Sequence, residues 1–217
     1  MAISNTSNTS VKQIFCYGDS LTAGTSPPHF ELFPYGPHLQ KLLQQKKQSI
    51  EWKVNWFGLP GWTASSMVDN LNSNEGLNYH INKATFKPDL AIILSGTNDM
   101  AYQSPTDSDP SKITRSIIQL HKAAHNLGVP TLAVSIPPSS WQASNTHARN
   151  LAEGINTSLK DFCDSSQGKS FFAPFPITNF GNHDGEKDVW SPDGLHFSPS
   201  GYRVLGESLC PFVTNNL

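Results

Sequence analysis

Cysteine is scarce in this sequence, and its placement does not favour cross-linking. Cys16, Cys163 and Cys210 are odd in number and widely spaced, and Cys16 lies within an apolar run. Cysteines of this kind are typical of small buried hydrophobic side chains rather than of disulfides or metal ligands. We therefore expect three buried free thiols and a reducing compartment.

Excess charge and long apolar runs are also absent from the sequence. The net charge is -2, and the pair Lys46-Lys47 is too short a basic run to bind a phosphate backbone. No stretch has the length of a membrane span. Nucleic acid is therefore not an expected partner, and stable membrane insertion is not expected.

The N-terminal segment is rich in Ser, Thr and Asn and lacks the apolar core of a signal peptide. We expect residues 1–10 to form a flexible tail, residues 11–217 to form a single domain, and the location to be cytoplasmic. Asn5, Asn8 and Asn156 open Asn-x-Ser/Thr triplets, which stay unmodified in a protein that is not exported.

Beyond the tail, short apolar runs alternate with helical patterns. The predicted strands are Gln13–Cys16, Trp52–Phe57, Leu90–Leu94, Thr131–Ile136 and Ser170–Phe172. The predicted helices are Pro34–Gln45, Thr63–Leu71, Lys112–Leu127, His147–Cys163 and Pro199–Phe212. This alternation predicts an α/β fold with a parallel sheet, and the continuous apolar runs at 90–94 and 131–136 predict central strands.

Polar or turn-forming motifs follow four of the predicted strands. Gly18-Asp19-Ser20-Leu21 follows the first strand, and Gly58-Leu59-Pro60-Gly61-Trp62-Thr63 lies at the end of the second. Gly96-Thr97-Asn98-Asp99 follows the third strand, and Pro137-Pro138 follows the fourth. Because ligand sites in open α/β sheets lie outside the carboxyl ends of the strands, these motifs are expected at one sheet edge.

Ser20 and a distant pair, Asp193 and His196, supply the three groups of acyl-transfer chemistry. A serine hydroxyl attacks well only when a base accepts its proton, and His196 is the candidate base. Asp193 can orient it if the segment makes a helical or 3₁₀-like turn. Taken alone, residues 191–194 have the composition of a solvated β-turn, and Gly-Asp-Ser that of an ordinary turn. The conjunction of all three favours catalysis.

The four blocks together resemble the SGNH hydrolases, also called the GDSL esterase/lipase family, over nearly the whole chain. The resemblance implies a three-layer α/β/α sandwich whose five-stranded parallel sheet has the flavodoxin-like order 2-1-3-4-5. It implies Ser20 as nucleophile, with Asp193 and His196 completing the triad. Ser20, Gly61 and Asn98 are the implied oxyanion-hole residues, through two backbone N–H groups and the Asn98 side-chain amide.

The expected function is therefore hydrolysis of small or medium carboxylic esters, with acetyl or other short acyl groups, through an acyl-enzyme on Ser20. Lysophospholipase, thioesterase, carbohydrate deacetylase and acyltransferase activities remain alternatives within the family. A non-catalytic binding module on an esterase fold is the alternative from another class, and the presence of all three triad residues argues against it.

Several of these residues also have simpler interpretations. Gly61 fits a plain turn after Pro60, and Asn98 fits a cap of the loop after the third strand. Asp19 and Asp99 are interpreted as acceptors of backbone N–H groups that brace their loops.

The loops at the predicted edge are expected to determine specificity. These loops are Phe30–Tyr35, Met100–Gln103, Pro138–Trp141 and Phe175–Trp190. Candidates for an apolar acyl wall are Trp62, Met100, Trp141 and Leu195. Packing explains the last three equally well, whereas Trp62 adjoins Gly61.

No metal or cofactor is assigned. His183, Asp184, Glu186 and Asp188 have the spacing of neither a calcium loop nor a zinc helix. His121 and His125 lie four residues apart on a predicted helix, for which surface or helix-end roles suffice.

Overall fold

A computed structural model of the protein describes residues 10–85, 87–103, 109–178, 180 and 189–217. These residues form five strands and nine helices. The strands are β1 (Ser10–Asp19), β2 (Ile50–Leu59), β3 (Leu90–Leu94), β4 (Thr131–Val134) and β5 (Ser170–Ala173). The helices are α1 (Ser20–Ala23), α2 (Gly36–Lys46), α3 (Ala64–Asp69), α4 (Leu77–Lys83), α5 (Thr97–Tyr102), α6 (Ser111–Asn126), α7 (Ser140–Ser144), α8 (Thr146–Asp164) and α9 (Pro199–Thr214).

The strands form one parallel sheet in the order β2-β1-β3-β4-β5, which confirms the predicted order. Asp19 of β1 lies opposite Leu59 of β2, and Gly18 lies opposite Leu94 of β3. Three strands therefore end side by side, and the segments that follow them start at one edge. Strands β3 and β4 are buried along their whole length, as their continuous apolar runs predict.

Helices cover both faces of the sheet because successive side chains of a strand point in opposite directions. Ile14 and Cys16 of β1 belong to a core cluster shared with α2 and α9. Phe15 and Tyr17 belong to a second cluster, shared with α3, α4, α6 and α8. The result is the predicted three-layer sandwich, and all three cysteines are buried and free, as expected.

The observed ends of two strands differ from the predicted ends. In β1 a polar residue extends the strand, and in β4 a hydrogen bond to a side chain ends it. β1 begins at Ser10, which the sequence analysis placed in the tail, because Ser10 pairs with Ile50 of β2. β4 ends at Val134 rather than Ile136. The backbone N–H of Ile136 donates instead to the Asn156 side chain, at 2.7 Å.

One group of polar side chains lies at the amino edge of the sheet, at the starts of β4 and β5. The amino-edge cluster consists of His121, His125, Thr131 and Ser170. His121 is fully buried, with Nδ1 2.8 Å from Thr131 Oγ1, so the expected surface or helix-end role is wrong for this residue. His121 is buried because it lies on the apolar face of α6, which packs against the sheet.

Among the helices of the described ranges, none combines the length and apolar character that crossing a lipid bilayer requires.

Candidate active site

Ser20 is the first residue of α1 and lies directly after the end of β1. The Asp19 side chain caps this short helix, because its Oδ1 accepts the Leu21 N–H at 2.9 Å. Gly18 permits a close approach of β1 to its neighbour, since a Cβ there would lie 2.0 Å from the Leu94 carbonyl oxygen. Ser20 itself is 7% exposed, so only a small part of the residue is accessible to solvent.

The segment that carries Asp193 and His196 is a turn fixed by its own side chain. The Gly194 N–H donates to the Ser191 carbonyl at 3.1 Å, which is the β-turn expected from the sequence. Asp193 Oδ1 accepts the N–H groups of Leu195 and His196 at 3.1 and 3.0 Å. These bonds, rather than a helical or 3₁₀-like turn, bring the two side chains to the same side.

The structure places Asp193, His196 and Ser20 in one hydrogen-bonded line. His196 Nδ1 lies 2.6 Å from Asp193 Oδ2, and His196 Nε2 lies 2.9 Å from Ser20 Oγ. The side chains of His196 and Asp193 are 15% and 34% exposed, so the site is partly accessible to solvent. A base with a carboxylate on one nitrogen and a hydroxyl on the other is the geometry of an activated serine.

The charge state of Asp193 suits an orienting group. Partial burial raises the pKa of its carboxyl, but hydrogen bonds from the His196 side chain and from two backbone N–H groups outweigh that effect. The pKa of Asp193 therefore lies below its ordinary value. Asp193 remains a carboxylate throughout the range in which an ordinary histidine titrates.

Gly61 lies in a turn directly after β2. The Trp62 N–H donates to the Leu59 carbonyl at 3.1 Å, with Pro60 and Gly61 at the two central positions. The φ of Gly61 is +80°, which is the pattern of a type II turn and favours glycine. A Cβ at this position would meet no atom within 4 Å, so the backbone here faces open space.

Two adjacent residues tie the β3 end to the Gly61 turn. Asn98 Nδ2 donates to the Trp62 carbonyl at 2.9 Å. The Asp99 carboxylate accepts the Ala64 N–H at 2.7 Å, and its other oxygen lies 3.4 Å from the Ser65 nitrogen. Since a primary amide carries two N–H donors, the bond to Trp62 uses one hydrogen of Asn98 and leaves the other.

The bracing role expected for Asp19 and Asp99 is confirmed by these contacts. Burial raises the pKa of Asp19 to about 7, against the lowering effect of the Leu21 N–H. Burial likewise raises the pKa of Asp99, against the N–H groups of Ala64 and Ser65. One oxygen of Asp19 and both oxygens of Asp99 thus accept backbone N–H groups inside the loops that surround Ser20.

The four candidate acyl-wall residues have different surroundings. Met100 is only 2% exposed and belongs to the core cluster of the α6 face, so packing accounts for it. Trp62 is half-buried against the same cluster, and Leu195 is also half-buried. Trp141 is exposed on α7. Trp62, Leu195 and Trp141 therefore keep solvent-accessible surface, whereas Met100 is enclosed in the core.

Further apolar side chains are exposed on the segments that follow β1 and β3. Phe30 is fully exposed, and Leu32 and Tyr102 are largely exposed. They lie in two of the loops that are expected to determine specificity.

The hydrogen bond between Asn98 and Trp62 could not be predicted from the sequence, because the two residues lie 36 positions apart and no local pattern links them.

The possible metal ligands of residues 183–188 lie outside the described residues. Within the described ranges, no group of three or more His, Cys, Asp or Glu side chains is arranged to hold a metal ion.

The sequence is similar to a protein family over most of its length. A model of the GDSL-like lipase/acylhydrolase family matches residues 16–204. That match includes Ser20, Gly61, Asn98, Asp193 and His196. No curated protein sequence matches the chain.

Solved structures of other proteins share the fold. A lipase/acylhydrolase from Enterococcus faecalis is 21% identical, with a TM-score of 0.63 over 95% of this chain and 97% of its own. The native aryl esterase of M. smegmatis is 22% identical, with a TM-score of 0.67 over 95% of this chain and 100% of its own. The psychrotrophic esterase EstA from Pseudoalteromonas sp., in a form inhibited by monoethylphosphonate, is 16% identical, with a TM-score of 0.65 over 94% of this chain and 97% of its own.

Proposed function

The chain belongs to the GDSL-like lipase/acylhydrolase family, and on this premise we propose that it is a serine ester hydrolase. Its substrates are small or medium carboxylic esters with an acetyl or other short acyl group. The observation that carries the proposal is the line of Asp193, His196 and Ser20, with contacts of 2.6 and 2.9 Å.

In the first half of the reaction, Ser20 Oγ attacks the ester carbonyl carbon while His196 Nε2 accepts the hydroxyl proton. Asp193 holds the imidazole through Nδ1 and stabilises the imidazolium that forms. The tetrahedral intermediate collapses as His196 returns the proton to the alkoxy oxygen. The alcohol leaves, and the acyl group stays on Ser20 as an ester.

In the second half, a water molecule takes the place of the alcohol. His196 accepts a proton from the water as its oxygen attacks the acyl carbon, and the second tetrahedral intermediate collapses with return of the proton to Ser20 Oγ. The carboxylic acid is released and the enzyme is restored. Because the same base serves both steps, loss of His196 affects acylation and deacylation alike.

Both tetrahedral intermediates carry an oxyanion, which needs hydrogen-bond donors where the charge develops. We assign this role to the backbone N–H groups of Ser20 and Gly61 and to the second N–H of Asn98. The pairing of β1 with β2 and β3 supports the assignment, since the ends of these strands are neighbours. The bond from Asn98 to the Trp62 carbonyl holds the amide in place before substrate binds.

The substrate class is inferred from the apolar side chains beside these groups. Trp62 follows Gly61, Leu195 precedes His196, and both are half-buried, so they can contact an acyl group with little loss of side-chain freedom. Met100, which was a candidate for the acyl wall, is buried and therefore cannot contact a substrate. Two apolar contacts beside the catalytic residues suffice for a short acyl group, which supports this substrate class.

A panel of esters tests the proposal. It varies the acyl chain from acetyl to decanoyl on one alcohol, and adds an acyl thioester, a lysophospholipid and an acetylated sugar. We expect the highest kcat/KM for the short acyl esters and no turnover by Ser20→Ala. Equal turnover by the wild type and Ser20→Ala, or no turnover of any ester by folded protein, would overturn the proposal.

A further inference from the structure

Two serines outside the triad join the segment that follows Ser20 to the segment that carries His196. Ser26 and Ser191 are separated by 165 positions, yet their hydroxyl oxygens lie 3.2 Å apart. Both side chains are buried, at 1% and 4% exposure. A buried hydrogen bond between two loops strengthens their connection because water does not compete for it.

The direction of this hydrogen bond follows from counting protons. The hydroxyl of Ser191 donates its single proton to the Phe197 carbonyl at 2.9 Å. Its oxygen can therefore only accept from Ser26, so Ser26 is the donor. The resulting chain runs from Ser26 to Ser191 and on to the carbonyl of the residue after His196.

Both ends of this chain are fixed to the catalytic line. The Thr25 N–H donates to the Ser20 carbonyl at 3.0 Å, one residue before Ser26. The Ser191 N–H donates to the His196 carbonyl at 2.9 Å. Together with the contact between His196 Nε2 and Ser20 Oγ, these bonds close a ring that includes the nucleophile and the base.

We propose that Ser26 and Ser191 form a serine staple, a pair of positioning residues that holds the His196 turn at its working distance from Ser20. The inference rests on the proposed function and goes beyond it, because neither serine lies in the catalytic line. His196 belongs to a turn that an isolated antiparallel β-bridge between Trp190 and Phe197 closes. The bridge fixes the shape of the turn, and the staple joins the turn to the segment that follows Ser20.

The physical consequence concerns kcat rather than substrate affinity. A base displaced by a fraction of an ångström still leaves the acyl pocket intact, but it receives the serine proton less well in the transition state. Loss of the Ser191 hydroxyl removes two bonds and leaves the Phe197 carbonyl unpaired. Loss of the Ser26 hydroxyl removes only the bond between the loops, so the smaller effect is expected there.

The test measures the rate at which a fluorophosphonate labels Ser20, together with kcat, KM and melting temperature. We expect Ser191→Ala to slow labelling and lower kcat by about tenfold with little change in KM, and Ser26→Ala to have an effect of about threefold. The double variant should be no slower than Ser191→Ala, since both serines act through one connection.

Ser135→Ala is the matched control. Ser135 is also a buried serine whose hydroxyl joins two segments, because it accepts the Phe175 N–H at 2.8 Å rather than a group of the His196 turn. This variant should lose a similar amount of thermal stability while labelling at the wild-type rate.

Labelling of Ser191→Ala and Ser26→Ala at the wild-type rate, with melting temperatures lowered as in Ser135→Ala, would overturn the staple while leaving the proposed function intact. If Ser191→Ala does not fold, Ser26→Ala decides the case, since it keeps the bond between Ser191 and Phe197. Absence of labelling in folded wild-type protein would overturn the proposed function, and the staple with it.

Discussion

Among the described residues, two serine–histidine contacts lie at opposite edges of the same sheet. At the carboxyl edge, His196 Nε2 lies 2.9 Å from Ser20 Oγ. At the amino edge, His125 Nε2 lies 3.1 Å from Ser170 Oγ. The two distances are nearly equal, so the distance between a serine and a histidine does not distinguish a catalytic pair from a structural one.

The two serine–histidine pairs differ in the additional group that is hydrogen-bonded to each pair. His196 has the Asp193 carboxylate on its other nitrogen, whereas the Ser170 hydroxyl also contacts Thr131 Oγ1 at 2.8 Å. At the amino edge, Thr131 Oγ1 contacts both imidazoles and the Ser170 hydroxyl, and the buried His121 Nε2 has no hydrogen-bond partner among the described residues. At the carboxyl edge a carboxylate orients the base toward a hydroxyl that borders an open turn. This difference underlies the assignment of catalysis to one edge.

The largest expected effect separates the two pairs directly. Ser20→Ala and His196→Ala should each lower kcat by about 10⁴-fold or more, and the double variant should be scarcely worse, because triad members act as a unit. Ser170→Ala should lower the melting temperature and leave kcat unchanged. Steady-state kinetics on the preferred ester check this. Multiplicative losses in the double variant, or a large loss of kcat in Ser170→Ala, would contradict the comparison.

The second largest effect is expected when the carboxylate that contacts His196 is removed. Asp193→Asn keeps the size of the side chain but no longer stabilises the imidazolium, so kcat should fall by about 10³- to 10⁴-fold. Fluorophosphonate labelling should slow in parallel. If Asp193→Asn retained near-wild-type kcat, the carboxylate would not be what distinguishes the two edges.

The third effect concerns Asn98, which both braces the Gly61 turn and carries a second N–H. Asn98→Ala should lower kcat by about 10²- to 10³-fold with a smaller change in KM, since the lost bond strengthens only as the carbonyl becomes tetrahedral. The melting temperature should also fall by a few degrees, because the bond to Trp62 is lost.

Asn156→Ala is the control for this prediction. The Asn156 amide braces the end of β4 through both the N–H and the carbonyl of Ile136. It should therefore lose stability without losing kcat. Equal kcat in the Asn98 and Asn156 variants would limit Asn98 to a structural brace.

The smallest effect is a pH dependence of stability that arises at the amino edge. Burial, with a smaller contribution from the nearby His125, lowers the pKa of His121 to about 3. The unfolded chain therefore binds a proton near pH 6.5 that the folded chain does not bind. The stabilisation from neutral His121 is present above pH 6.5 and is lost progressively as the pH falls toward 3.

Melting temperatures measured between pH 8 and pH 4 check this prediction. His121→Asn keeps a polar partner for Thr131 but removes the titrating group, so its melting temperature should fall less steeply with decreasing pH. Parallel curves for the wild type and His121→Asn would show that the cluster does not control acid stability.

Much of the carboxyl edge could be predicted from the sequence because short motifs follow strands that have strong apolar patterns. Ser20, Gly61 and Asn98 each lie a few residues beyond such a strand, and parallel strands bring those ends together. The apolar runs at 90–94 and 131–136 predict the central strands for the same reason, although the second strand ends at Val134. The sequence predicts no helix at residues 77–83, because seven residues give too little periodicity.

The remaining features depend on contacts between distant parts of the chain. His121 has the spacing of a surface histidine on a helix, and only the packing of α6 on the sheet shows that it is buried. The bond between Ser26 and Ser191 joins two serines that are 165 positions apart, and no local pattern links them. The sequence leaves the turn at Asp193 open between a β-turn and a helical or 3₁₀-like turn, because the hydrogen bonds that its own side chain accepts from backbone N–H groups decide its shape.

The central claim is that Ser20, and not any other hydroxyl of the chain, is activated for attack on acyl carbon. Treatment of the native protein with a fluorophosphonate, followed by peptide mass spectrometry, tests it most directly. The account predicts one adduct per chain, on Ser20, which is absent in Ser20→Ala and forms far more slowly in His196→Ala. An adduct on Ser170 or another residue, or none on protein shown to be folded, would contradict it.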